Sequence, residues 1–192
     1  MSDKKPLWIA GIARGHNAGV CLMKDGEIVF SIEEERLTRR KYDGGPLASM
    51  LKIKEYTDKI DYLAVSHTTG LVQTAGKLDY SGEDIYTGLA RKLGLIERNR
   101  DNRNHPQVLD YSHIHHKLHA AAAFYRSGWT DAVAVIVDGA GTFANMEFGG
   151  GRGPRAETTY EVESIIDCGY PHKFSNLYKH HGHATDIPPM LT

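Results

Sequence analysis

His115-His116-Lys117-Leu118-His119-Ala120-Ala121-Ala122-Ala123-Phe124-Tyr125-Arg126, followed after Gly128 by Ala132-Val133-Ala134-Val135-Ile136-Val137-Asp138-Gly139-Ala140-Gly141-Thr142, is a helical pattern running directly into a strand pattern. Ser112 reads as the N-cap of a helix over His113–Arg126, with Ile114, Leu118, Ala121 and Tyr125 at the spacing of one core-facing stripe. Gly128 ends it. Residues 132–137 are continuously apolar, as expected of a strand covered on both faces. The Asp-Gly pair at 138–139 marks the strand's carboxyl end, where ligand sites of α/β folds gather. His115 and His119 stand four apart, so their imidazoles share a helix face one turn apart. With Asp138 they make a candidate three-ligand metal site with open positions. His116 is read as a neighbour of that site rather than a ligand.

Outward from this block, residues 7–12, 18–23 and 27–32 read as three consecutive strands, the last two joined at Lys24-Asp25-Gly26, a strong hairpin signal. A polar, charged connector over 33–43 precedes a helix over 46–59 and a strand over 61–66. Ser81 is the expected N-cap of a helix reaching about Glu97, and 107–111 forms a short strand. Strands over 143–148 and 158–166 follow, with a turn at 149–154 that lacks the Gly-Lys-Ser/Thr ending of a phosphate-binding loop. His180, His181 and His183 are expected as a surface cluster near a helix end. A strand hairpin with following helices and strands, used twice, points to a duplicated architecture whose second copy is unfinished. The expected organisation is residues 1–130 as a first half carrying the histidine helix and 131–192 as the start of a truncated second half.

Bulk properties narrow the function classes. The chain has 192 residues, 23 basic and 24 acidic, for a formal net charge of −1. No global basic field draws it to nucleic acid or an anionic membrane. Two cysteines, Cys21 and Cys168, do not make a disulfide framework, and the cytoplasm is the expected compartment. No apolar run is long enough for a signal peptide or a membrane span.

Three stretches then carry a resemblance. The block from His115 to Gly141 resembles the HHxxHA…DGxG block of carbamoyltransferases of the nodulation-protein U, cephalosporin and tobramycin type. Gly11, Ile12 and His16-Asn17-Ala18-Gly19 resemble their GxxxxHDA segment, with Asn17 where the family usually has Asp. Glu33-Glu34-Glu35-Arg36, Thr38 and Arg39-Arg40-Lys41 resemble their EERxTRxK segment. The resemblance implies an α/β actin-like ATPase fold, built of two ribonuclease H-like halves, the first complete here and the second truncated. It implies O-carbamoyl transfer from carbamoyl-adenylate, made from carbamoyl phosphate and ATP on a separate C-terminal YrdC-like region, to a small hydroxyl-bearing acceptor. A divalent metal, typically iron, would be held by His115, His119 and Asp138 and by a later Asp beyond Thr192. His16 is expected as general base or carbonyl-orienting group, and Gly139, Gly141, Arg39 and Lys41 as nucleotide-binding residues. Two other functions fit the same block: threonylcarbamoyl transfer to tRNA, which the near-neutral charge does not favour, and a non-catalytic metal- or nucleotide-binding module.

Overall fold

The computed structural model describes residues 5–13, 18–67, 84–99, 105–148 and 155–183. It is mixed α/β, in two compact units, Met1–Tyr111 and Ser112–Thr192. The division falls before the histidine helix, not at 130/131, because that helix packs on the strands that follow it. No helix among the described residues is long and apolar enough to cross a membrane.

The first unit opens with β1 (Trp8–Ala13), β2 (Gly19–Lys24) and β3 (Glu27–Glu33), antiparallel in sequence order. Asp25 (φ 52°) and Gly26 (φ 91°) turn the hairpin in the left-handed region, as an Asp-Gly pair does when its twist matches that of the strands. The turn is tied back to the start of the chain, since Asp25 N–H donates to Leu7 O and Leu7 N–H to the Asp25 carboxylate, each at 2.9 Å.

The connector over 33–43 contains a short helix, α1 (Glu34–Thr38), that the polar pattern did not signal. Its first residue ties it to the next helix. Glu34 is buried and accepts from Ala48 N–H and Ser49 N–H at 2.7 Å and from Ser49 Oγ at 2.6 Å. It thereby supplies the N-terminal cap that Pro46 does not provide to α2 (Leu47–Ile53). That helix is shorter than the 46–59 expected, with turns over 54–56.

β4 (Tyr62–Val65) returns parallel to β1, α3 (Ile85–Lys92) follows, and β5 (Val108–Asp110) lies parallel to β4. The N-cap of α3 is Asp84, which accepts from Tyr86 N–H and Thr87 N–H. Ser81, the cap expected, lies outside the described residues, as do His16 and the expected turn at 149–154. The sheet order is β3-β2-β1-β4-β5. Alternate residues Ala10, Ile12, Val20, Leu22, Leu63 and Val65 form one buried cluster with Met50 and Ile53 of α2 and Tyr86 and Ala90 of α3. This is the period-2 face of a sheet meeting helical stripes.

The second unit begins with a 3-10 turn (Ser112–Ile114) leading into α4 (His115–Ser127), which ends at Gly128 with φ 76°. Its sheet is built on β8 (Arg155–Gly169), a 15-residue strand. β6 (Asp131–Val137) pairs antiparallel with one half of β8, from Asp131↔Gly169 to Val137↔Glu163. β7 (Phe143–Phe148) pairs with the other half, and β9 (Lys173–His183) runs along its opposite edge.

Three expectations are corrected here. The buried stripe of α4 is His116, Ala120 and Phe124, packed over Ile166 and Cys168, while Tyr125 is exposed and donates through its hydroxyl to Pro171 O. Among the described residues β6 is covered on one face only: Val133, Val135 and Val137 are 60%, 67% and 74% exposed, and the face bearing Ala132, Ala134 and Ile136 meets α4's cluster. His180, His181 and His183 lie in strand β9, not near a helix end.

Candidate metal centre

Helix α4 and the end of β6 bring His115, His119 and Asp138 together. His115 Nε2 lies 3.0 Å from Asp138 Oδ2 and 3.0 Å from His119 Nε2, and His119 Nε2 lies 3.5 Å from Asp138 Oδ2. Three atoms so spaced fit ligands about 2.1 Å from one common centre, at angles of roughly 90–110° to one another. Such a set occupies one side of an ion and leaves the other side open. Two imidazoles and one carboxylate form a donor set that suits divalent iron. The residues present therefore fit a divalent ion. His119 is exposed and Asp138 half-buried.

The electrostatics prepare the ligands. Burial lowers the His115 pKa from its ordinary value, the neighbouring His119 lowers it further, and Asp138 opposes both. The imidazole is thus neutral, as ligation requires, over a wider pH range than a free histidine. Burial pushes the Asp138 carboxyl up, but Gly139 N–H, His115 and His119 outweigh it and hold it below its ordinary value. Gly139 N–H donates to Asp138 Oδ1 at 2.7 Å, leaving Oδ2 for the histidines. His115 Nδ1 is buried without a hydrogen-bond partner among the described residues. The ring is therefore held through its backbone and its Nε2 contacts.

His116 points into the core instead. It is fully buried, with Nδ1 2.8 Å from Ser164 Oγ. Burial lowers its pKa from the ordinary histidine value. Beside it lies a group that the sequence pattern did not single out: Glu161, buried, ion-paired with Lys179, and accepting from Thr142 N–H at 3.0 Å. A charged residue at an inward strand position was the available signal. The irregular register between Glu161 and Glu163 obscured it by breaking the period-2 pattern.

The other expected site residues are placed as follows. Gly141 N–H donates to Glu161 O at 2.7 Å, and a Cβ at Gly141 would stand 2.6 Å from His116 Nε2, so this glycine serves close packing. Gly139 has open space around it. Arg39 and Lys41 belong to the first unit and are exposed, Arg39 in the left-handed region at φ 60° and Lys41 with its Nζ 4.9 Å from the Tyr42 ring centroid.

The second unit is thus a helix-on-sheet scaffold that presents a two-histidine, one-carboxylate cluster. Comparison with known proteins points to one family. Residues 8–80 match the family described as Carbamoyltransferase N-terminus. Nodulation protein NolNO of Sinorhizobium fredii is 29% identical over 139 residues, covering 68% of this chain and 20% of that protein. An uncharacterized protein of Synechocystis sp. is 26% identical over 187 residues (85% of this chain, 29% of that one). An uncharacterized protein of Methanocaldococcus jannaschii is 34% identical over 136 residues (69% and 22%). Over residues 8–80 the chain is similar to the N-terminal region of carbamoyltransferases. It spans less than a third of the length of each of these relatives.

Proposed function

We propose that this chain is the carbamoyl-transferring part of a metal-assisted O-carbamoyltransferase, which moves a carbamoyl group from carbamoyl-adenylate to the hydroxyl of a small acceptor. The observation that carries this is the convergence of His115 Nε2, His119 Nε2 and Asp138 Oδ2 in a chain whose residues 8–80 match the carbamoyltransferase N-terminus. Carbamoyl-adenylate is a mixed anhydride and already activated. The site has to orient it, offset charge developing on its phosphate and carbonyl oxygens, and accept the acceptor's proton. A divalent ion, iron by family resemblance, would be held by His115, His119 and Asp138 and would supply Lewis-acid polarisation of those oxygens. The neutral His115 and the ionised Asp138 keep their lone pairs available near neutral pH. His16 stays the proposed base or carbonyl-orienting group. The order β3-β2-β1-β4-β5, with β1–β3 antiparallel and β4 and β5 parallel to β1, supports a ribonuclease H-like first half of an actin-like fold. Formation of the adenylate from carbamoyl phosphate and ATP is assigned to a region of the longer relatives that this chain does not cover.

The test is the metal content of the anaerobically purified chain beside His115→Ala and His119→Ala, followed by AMP release from synthetic carbamoyl-adenylate with a panel of hydroxyl acceptors. About one ion per chain, lost in both variants, with acceptor-dependent AMP release in the wild type only, is the expected result. A folded wild type that holds no ion under iron, or variants that keep it, would refute the site.

A further inference from the structure

We infer that Thr142, held by Glu161, is a positioning residue that sets the two-histidine helix against the strand end bearing Asp138. This rests on the metal-site reading above and goes beyond it to what holds the ligands in register.

The N-cap position of helix α4 is Ile114, whose side chain makes no capping hydrogen bond. The first N–H groups of a helix lack intrahelical partners, and burying them unpaired is costly. Here the partners come from far along the chain. His115 N–H donates to Thr142 Oγ1 at 3.1 Å, and His116 N–H approaches Glu161 Oε2 at 3.4 Å. The Thr142 hydroxyl in turn donates to Ser112 O at 3.1 Å, three residues before the first residue of the helix. The same two residues anchor the loop that carries Asp138. Thr142 N–H donates to Glu161 Oε2, Glu161 N–H to Thr142 O at 3.1 Å, and Gly141 N–H to Glu161 O at 2.7 Å. Lys179 from β9 fixes the other carboxylate oxygen of Glu161.

One hydroxyl therefore joins two elements that each supply ligands. On one side is the residue that carries His115, one helical turn before His119. On the other is the five-residue loop that starts at Asp138. Remove the hydroxyl and the helix start and the strand end are no longer bonded at this point, although Glu161 still holds the loop to β8. A metal site tolerates little displacement of its ligands, and partners that orient ligands typically contribute about 10–100-fold in affinity.

The experiment titrates Co(II) into the metal-free chain and reads both affinity and the visible ligand-field spectrum. Thr142→Val keeps the side-chain shape and removes the hydroxyl. It is expected to bind Co(II) about 10–100-fold more weakly, with a shifted or weakened spectrum. Thr142→Ser restores the hydroxyl and is expected to recover affinity and spectrum. A role in folding alone would leave the spectrum of the bound ion unchanged. If the valine variant does not fold, Thr142→Ala is read the same way. Wild-type affinity and spectrum in a variant lacking the hydroxyl would overturn the inference while leaving the site intact. A wild type that binds no Co(II) would overturn the site itself, and the positioning role with it.

Discussion

Glu161→Gln should flatten part of the acid limb of this protein's stability curve. Burial pushes the Glu161 carboxyl up, but the ion pair with Lys179, the Thr142 N–H and the charge of His116 outweigh it and bring it from 4.5 down to about 2. A tenfold change in an ionisation constant is worth about 1.4 kcal/mol, so this depression corresponds to on the order of 3 kcal/mol in favour of the folded state. The folded pKa lies below the unfolded one. The contribution is therefore fully present above about pH 4.5 and is lost as the pH falls through about 2. Urea unfolding followed by far-ultraviolet circular dichroism, at a series of pH values from 6 downward, measures it. Other carboxylates titrate in both proteins, so the difference between wild type and variant isolates this one. The wild type should be the more stable at pH 6, and the two curves should draw together as Glu161 becomes protonated. Parallel curves would refute the reasoning. They would mean that Lys179 and the loop amides contribute no more to the ionised carboxylate than water does.

Gly141→Ala should destabilise the chain by about 1–3 kcal/mol, the usual cost of overpacking, because its Cβ would stand 2.6 Å from His116 Nε2 and 2.8 Å from Glu161 Cβ; a thermal melt within error of wild type would contradict this. Glu34→Gln should cost about 1.5–3 kcal/mol in urea unfolding, since it weakens three charge-assisted bonds to Ala48 N–H, Ser49 N–H and Ser49 Oγ. Val135→Thr, which keeps the β-branch on the exposed face of β6, should change stability by no more than about 0.5 kcal/mol, whereas a strand covered on both faces would lose considerably more.

The elements that could be read from residue order alone are those whose cause is local. The hairpin of β2 and β3 follows from two short apolar runs and the Asp-Gly pair between them, all contained within fifteen residues. The shared face of His115 and His119 follows from helical pitch. The end of α4 follows from one glycine. The register of those elements against others was not legible. Ile114 and Leu118 are as apolar as the residues that α4 buries. What turns His116, Ala120 and Phe124 inward is docking on β6 and β8, where Ser164 receives the imidazole. In the same way, an unbroken apolar run cannot tell a strand covered twice from β6, which carries Val133, Val135 and Val137 on an exposed face.

Capping shows the distinction most clearly. Asp84 caps its own helix, so a local signal was present in the sequence, although Ser81, three residues earlier, was the cap expected from it. Helices α2 and α4 begin behind Pro46 and Ile114, which cap nothing, and their first amides are taken by Glu34, Thr142 and Glu161, from 14 to 45 residues away. The need for partners is dictated by backbone chemistry, but which side chain meets it depends on which strands the chain brings alongside. The candidate metal centre divides along the same line: pitch places the two imidazoles together, and packing of α4 on the sheet brings Asp138 to within 3.0 Å of one and 3.5 Å of the other.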